Sequence, residues 1–476
     1  MSKVEWEPVI GLEIHVQLAT NTKMFCSCAL GFGEPPNTRT CPVCLGLPGA
    51  LPVVNARAID YGLLIGLAVG SKLADRSIFH RKNYFYPDNP KAYQISQYDE
   101  PLCSGGQLGD VRIHRVHLEE DAAKLVHGGG SGRIHGSATS VVDFNRGGTP
   151  LVEIVTEPDV RSGEHARAWL TMLRETVRQL GISDVDMSQG SLRCDANVSI
   201  RPKGEERFGT KTELKNMNSF AFLEQGVKAE IARQIAIKEA GDEVVQETLH
   251  FDPRTGAITS LRSKEEAHDY RYFPEPDLVP IAITSEMLER AKAALPELPT
   301  QRAERYESSL GLSADNARDL SFRPEITPYF EAAAAVDGAE PQVVANWLLN
   351  ELIPRLGETA PADSRVSTDA FGAFAALVGA KKITPTAAKQ VLDRLVAEGG
   401  SPEAIVEAEG LGAMEGGDEL SGIVDAALAA NEAAAEKIRG GNMKAIGPII
   451  GHVMRETKGR ADGGEVTRLV REKLGL

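Results

Sequence analysis

Glu13, His15 and Gln17 occupy alternate positions of Gly11–Leu18, opposite an apolar row of Leu12, Ile14, Val16 and Leu18. A period of two places the polar set on one face of a β-strand. Ser191–Arg201 repeats the pattern: Leu192, Cys194, Ala196, Val198 and Ile200 oppose Arg193, Asp195, Asn197, Ser199 and Arg201. In Arg115–Asp121, alternation pairs His117 with Glu119, and the adjacent Glu120 faces across. Lys211, Glu213 and Lys215 alternate on a further strand-like segment. Half-buried antiparallel strands usually turn such rows to water. A solvated face, however, rarely gathers carboxylates, imidazoles, amides and arginines with so little Lys or Thr. Hard oxygen ligands beside Arg and Lys are what a Mg²⁺–nucleotide site requires. Arg193, Asp195, Lys211, Glu213 and Lys215 are therefore candidates for holding a nucleotide's phosphates or its metal.

The cysteines supply a second constellation. Cys26-Ser-Cys28 and Cys41-Pro-Val-Cys44 are two short chelating pairs of zinc-ribbon type, against the alternative of four unrelated buried thiols. Four protein ligands leave no open position, so the expected Zn²⁺ is structural. Cys194 reads as core and Cys103 falls outside the pattern. A third feature is Arg81–Gln97, RKNYFYPDNPKAYQISQ. Tyr84, Phe85, Tyr86, Tyr93 and Tyr98 crowd around it, interleaved with Lys82 and Lys91 and punctuated by Pro87 and Pro90. Neither the helical nor the strand period fits, which indicates an ordered loop lining a site.

The elements that must position these groups change along the chain. As far as about Leu295, short alternating segments mix with Gly/Pro turns and helical periods at Thr171–Leu180 and Phe222–Glu239. Pro296–Pro299 reads as a linker. Beyond it, Ala-rich helical stretches dominate, among them Asp369–Val378, Thr386–Glu398 and Glu419–Arg439. The expected class is α+β: an antiparallel-sheet domain over 1–295 with a zinc-binding insertion at 26–44, a helical domain over 296–410, and a small helical tail over 411–476.

Eight segments, taken together, resemble the B subunits of the tRNA-dependent amidotransferases, which convert Glu-tRNA(Gln) and Asp-tRNA(Asn) to their amides. They are Arg81–Gln97 itself, VIGLEIHVQL (Val9–Leu18), LPVVN (Leu51–Asn55), HLEEDAAK (His117–Lys124), DFNRGGTPLVEIVTEPD (Asp143–Asp159), SLRCDANVSIRP (Ser191–Pro202), GTKTELKNMNSF (Gly209–Phe220) and DYRYFPEPDLVP (Asp269–Pro280). The resemblance implies a catalytic cradle related to glutamine synthetase and the guanidino kinases. It would place Mg²⁺ on Glu13, His15, Glu120 and Asp195. Alternation leaves Glu119 and Glu120 both open, and Glu120 is preferred. Lys82 and Glu120 become candidates for guiding ammonia or holding an activated acyl group. Also implied are ATP, misacylated tRNA, and a heterotrimer completed by an A-subunit glutaminase and a C subunit. This chain has neither a Ser–Ser–Lys amidase segment nor a Cys–His glutaminase pair of its own.

The net charge of −15 argues against general affinity for nucleic acid. Lys437–Leu476 departs from it, with nine Lys/Arg against four Asp/Glu, a net of +5. Lys444, Arg455, Lys458 and Arg460 are the expected tRNA contacts there, against the blander reading of a solvated helix face. The N-terminus shows no apolar secretory region, and the longest apolar run, near Gly62–Val69, is too short to span a bilayer. No membrane association and a cytoplasmic location are expected. A non-catalytic tRNA-binding scaffold is the competing functional class, and it would leave the acidic rows unemployed.

Overall fold

The computed structural model describes residues 4–128, 137, 139–215, 217–263, 270–414, 417–457 and 459–476. They form two compact units, Met1–Leu298 and Pro299–Leu476.

The first unit is built on a ten-stranded sheet. Its principal strands are β1 (Trp6–Gln17), β2 (Lys72–Leu73), β3 (Cys103–Ser104), β4 (Val111–Glu120), β5 (Pro150–Thr156), β6 (Leu192–Pro202), β7 (Thr212–Lys215), β8 (Glu247–Asp252) and β9 (Ala257–Ser263). They run in the order β9-β8-β7-β6-β1-β5-β4-β3-β2, antiparallel except for the β7–β8 pair. The long strand β1 lies between β5 and β6, so its alternation sets the alternation of both neighbours. His15 stands opposite Glu153 on one side and Arg193 on the other, and Glu153 stands opposite His117 on β4. One face thus collects the reactive row from each strand. The other carries Ile10, Leu12, Ile14, Leu118, Val152, Ile154, Cys194 and Ala196, all buried in one core.

Helices α1 (Ala56–Ala68), α2 (Gly163–Leu180) and α3 (Phe220–Glu239) contribute to that core. Helix α2 starts eight residues before the period suggests. Ser162 caps it by accepting from the His165 amide at 3.1 Å, which brings Trp169 and Leu170 into the core. Asn55 caps α1 and also donates to the carbonyls of Thr22 (3.0 Å) and Lys23 (3.3 Å), tying the helix to the segment that leads into the cysteines. Lying off the sheet order, His80–Asn83 and Tyr93–Ser96 form a hairpin, with Phe273–Pro274 added at its edge.

The second unit is helical. Pro299, the expected end of a linker, instead begins a helix, Pro299–Leu310, where a missing N–H costs nothing. One core gathers around Tyr306, Phe330, Phe371 and Leu392, and another around Val424, Ile449, Val453 and Val466. The expected helix Glu419–Arg439 is broken into Gly417–Ala430 and Glu432–Arg439. At the break, Asn431 turns its side-chain amide onto the Ala427 carbonyl at 2.8 Å, competing with the backbone ladder. No helix among the described residues is long and apolar enough to cross a membrane.

Helix α1 approaches its neighbours through Gly62 and Gly66. A methyl on Gly66 would lie 2.4 Å from Cys103 Sγ and 2.9 Å from Leu73 Cδ2. Gly66→Ala gains about 1 kcal/mol of helix propensity, but overpacking costs about 1–3 kcal/mol. We expect a net loss of about 1 kcal/mol, read as a lower urea midpoint for unfolding of the first unit.

Candidate active site

Glu153 is the centre of the polar face, and it is only 4 % exposed. His117 Nε2 lies 3.3 Å from Glu153 Oε2 and 3.8 Å from Glu119 Oε2. His15 Nε2 lies 3.5 Å from Glu153 Oε2, 3.7 Å from Glu13 Oε1 and 3.9 Å from Glu119 Oε1. Three carboxylates therefore surround two imidazoles, with Glu153, Glu119 and His117 buried and Glu13 and His15 partly exposed. Burial would lower the His117 pKa, but the Glu153 and Glu119 carboxylates together override it and push the group up to about 9. His15 is raised for the same reason, against its own burial. Burial works to raise Glu153 as well, yet His117 and His15 hold it well below the ordinary carboxylate range. Glu13 is raised, by burial first and then by the Glu153 charge.

Cations flank the cluster on both sides. Toward β4, Lys82 is held above its ordinary range: burial opposes its charge, but Glu119, Glu153 and the neighbouring tyrosines together outweigh burial. Its ammonium sits 4.9 Å from the centre of the Tyr270 ring, and Ser96 Oγ donates to Glu119 Oε2 at 3.0 Å. Toward β7, Lys215 Nζ bridges Asp195 Oδ2 at 3.0 Å and Glu213 Oε1 at 2.9 Å. Arg193 Nη2 meets Asp121 Oδ1 at 2.9 Å, and Gln17 Nε2 donates to Asp121 Oδ2 at 2.7 Å. Lys211 is exposed one residue before β7 begins.

The expectation of Glu120 as a partner of Glu13 and His15 is not met, because Glu119 takes that place. Leu151 stands opposite Glu119 and Pro150 opposite Glu120, so the pleat sends Glu120 to the far face. There Glu120 forms an ion pair with Lys91 and accepts from the Ile95 amide at 3.0 Å. It borders a cavity of about 110 Å³ together with Phe25, Cys44 and Lys91. Asp195 stays on the polar face, opposite Glu13 in register, with Lys215 as its ion-pair partner. Glu153 and Asp121 are the residues that sequence reasoning left out, while Glu119 was the open alternative to Glu120, and His117 and Lys91 were noted without a role in the site. The signal for Glu153 was a single charge inside the otherwise apolar run PLVEIVT.

The cluster fits a divalent cation. Glu13, His15 and Glu153 offer one ligand atom each within 4.8 Å of one another, as do His117, Glu119 and Glu153. His117 Nδ1 and Arg193 Nε are buried without a hydrogen-bond partner, so the polar face still has bonding capacity to give. Carboxylate oxygens suit a hard ion such as Mg²⁺. The four thiols of Cys26, Cys28, Cys41 and Cys44 also lie within 4.8 Å of one another. Tetrahedral zinc, with bonds of about 2.3 Å, would bring them to about 3.8 Å apart. The hydrogen bond from Cys26 and the nearby Lys23 pull the Cys44 thiol down to about 4. Lys23 is fully buried, its Nζ 3.6 Å from Cys44 Sγ, and it places a positive charge beside the sulfur cluster.

In the tail, Lys444 and Arg455 are exposed, and Arg455 Nε donates to the Gly451 carbonyl at 3.2 Å. Arg460 is half-buried, donating to the Thr457 carbonyl at 3.2 Å. Lys458 lies outside the described residues. Arg468 is paired with Glu465 and Glu472, and Lys473 with Asp425, so part of the positive charge is neutralised locally.

Residues 8–289 match the family described as the GatB/GatE catalytic domain, and residues 328–474 match the GatB domain. Proteins named as the B subunit of aspartyl/glutamyl-tRNA(Asn/Gln) amidotransferase resemble the chain over its full length. That of Frankia casuarinae is 49% identical over 487 residues, covering 99% of this chain and 96% of the relative. That of Persephonella marina is 46% identical over 481 residues, covering 99% and 100%. That of Anaeromyxobacter sp. (strain K) is 48% identical over 484 residues, covering 99% of each. The chain belongs to this family of amidotransferase B subunits.

Two measurements probe the two clusters. Because a cation must compete with the protons held by His15 and His117, its binding should release protons at pH 7 and tighten as pH rises toward about 9. Calorimetry in buffers of different ionisation enthalpy reads both effects. Zinc should copurify near one equivalent per chain and be lost in Cys41→Ser/Cys44→Ser. Elemental analysis of the reduced protein would read this, together with a lower melting temperature.

Proposed function

We propose that this chain is the subunit that activates and amidates the amino acid on misacylated Glu-tRNA(Gln), Asp-tRNA(Asn) or both. A side-chain carboxylate cannot take ammonia directly, because its oxygen is a poor leaving group. The carboxylate oxygen attacks the γ-phosphorus of ATP, ADP departs, and an acyl phosphate forms. Ammonia then attacks the carbonyl and phosphate leaves. The observation that carries this reading is the buried histidine–carboxylate cluster with Lys82 on one side and Arg193 and Lys215 on the other.

Glu13, His15, Glu119 and Glu153 would hold Mg²⁺, which when bound neutralises charge on the transferring phosphoryl group. Arg193 and Lys215 meet the phosphate oxygens, with Lys211 at the mouth and Asp195 and Glu213 fixing the ammonium of Lys215. Lys82 orients the acyl group, while Glu120 and its partner Lys91 guide ammonia on the other face of β4. The cradle is of the glutamine synthetase and guanidino kinase type, and the zinc site clamps the insertion. Ammonia comes from a glutaminase A subunit, and a C subunit completes a cytoplasmic heterotrimer. Lys444, Arg455 and Arg460 meet the backbone of the tRNA.

The test uses the assembled complex. His15→Ala and Glu153→Gln should each lower kcat for ATP-dependent amidation about a thousandfold, the several kcal/mol a bound metal contributes. Glutamine hydrolysis by the A subunit should persist. Amidation at the normal rate in both variants would leave the chain a tRNA-binding scaffold.

A further inference from the structure

Above the β4 side of the cluster, four tyrosines form a connected set. Tyr98 and Tyr272 stack face to face, with centroids 4.4 Å apart and planes 7° from parallel. Tyr270 meets Tyr272 edge-on at 6.1 Å, and Tyr84 meets Tyr270 at 6.3 Å. His80 braces the far edge of Tyr98 at 6.3 Å. The stack reaches from the cluster to solvent. Burial, together with the Glu119 and Glu153 charges, pushes the Tyr272 hydroxyl up to about 12, whereas Tyr98 is 50 % exposed.

The backbone is bent to make this arrangement. Arg271, between two of the rings, has φ +43, a left-handed conformation that an arginine adopts at a cost of about 1–3 kcal/mol. Asn83 holds it there: its backbone N donates to the Tyr270 carbonyl at 3.0 Å and its side-chain amide to the Arg271 carbonyl at 2.9 Å. Hydrophobic burial does not account for this, since Tyr98 keeps half its surface in water and Phe85 nearby is 91 % exposed. A half-exposed aromatic stack beside a charged cluster suits a flat unpaired base.

We propose that the Tyr98–Tyr272 stack is the subsite for the unpaired 3′-terminal nucleobase of the aminoacyl-tRNA. The inference rests on the functional reading above and names where that substrate's end is held. The amino acid is esterified to the terminal ribose, so the base lies one sugar away from the reacting group. The adenine of ATP has the same stacking chemistry. However, Arg193 and Lys215 lie on β6 and β7, across β1 and β5 from β4, and they draw the phosphates to that opposite side.

In the assembled enzyme, Tyr98→Ala and Tyr272→Ala should raise KM for aminoacyl-tRNA about tenfold, within the range that loss of one stacked base costs. KM for ATP should stay the same, and Tyr98→Phe and Tyr272→Phe, which keep the ring, should behave as wild type. A tRNA lacking its terminal base should lose the same factor with wild type and lose nothing further with Tyr98→Ala. An unchanged tRNA KM, additive losses, or a rise in KM for ATP instead would each overturn the proposal. An RNA hairpin ending in 2-aminopurine gives a readout without catalysis: its fluorescence should quench on binding wild type and not Tyr98→Ala. Quenching by a protein that amidates neither tRNA would refute the functional reading and leave the subsite standing. Absence of quenching would refute the subsite.

Discussion

The first unit depends on keeping a carboxylate, Glu153, charged inside a strand that is otherwise apolar and nearly dry. Burying an unpaired carboxylate would cost several kcal/mol, so its partners must arrive with near-atomic accuracy. Antiparallel register supplies them. Glu153 stands between His15 and His117 because β5 lies between β1 and β4, and each imidazole is the residue directly opposite. A slip of one residue would put the imidazoles into the core and leave the carboxylate alone. The apolar row on the reverse face, packed against α1, α2 and α3, makes such a slip doubly unfavourable. The core and the polar cluster therefore enforce the same register from opposite faces.

This explains how unequally the molecule could be read from its sequence. Alternation in β1 and β6 located Glu13, His15, Arg193 and Asp195, because a half-buried strand writes its two faces directly into the chain. The four cysteines were legible through short chelating spacings. Glu153 was hidden, since its strand is buried on both sides and shows an apolar run in place of an alternation. Glu119 and Glu120 could not be separated, because parity along β4 says nothing about which face meets β1. Only the pairing through β5 decides that. The helical unit was legible in kind from its composition, but not in its breaks. Asn431 interrupts a helix by a side-chain bond that a periodicity cannot express.

Charge was the least transparent quantity. The tail has the net positive balance its sequence shows, yet Arg468 and Lys473 spend their charge on neighbouring carboxylates. Conversely, a chain with a net charge of −15 concentrates Lys82, Arg193 and Lys215 around one acidic pocket. Local arrangement outweighs the overall balance, because fields inside a low-dielectric pocket act over short distances with little screening.

Glu119 and Glu120 are consecutive residues pointing to opposite faces of β4. The strand is therefore a partition with one carboxylate set in each wall. On one side Glu119 adjoins His15, His117 and the charge of Lys82; on the other Glu120 grips Lys91 beside Phe25 and Cys44. Both carboxylates hang from adjoining residues of one backbone, and Gln94 Nε2 pins that backbone by donating to the Glu120 carbonyl at 2.7 Å. What fixes the position of one wall therefore fixes that of the other.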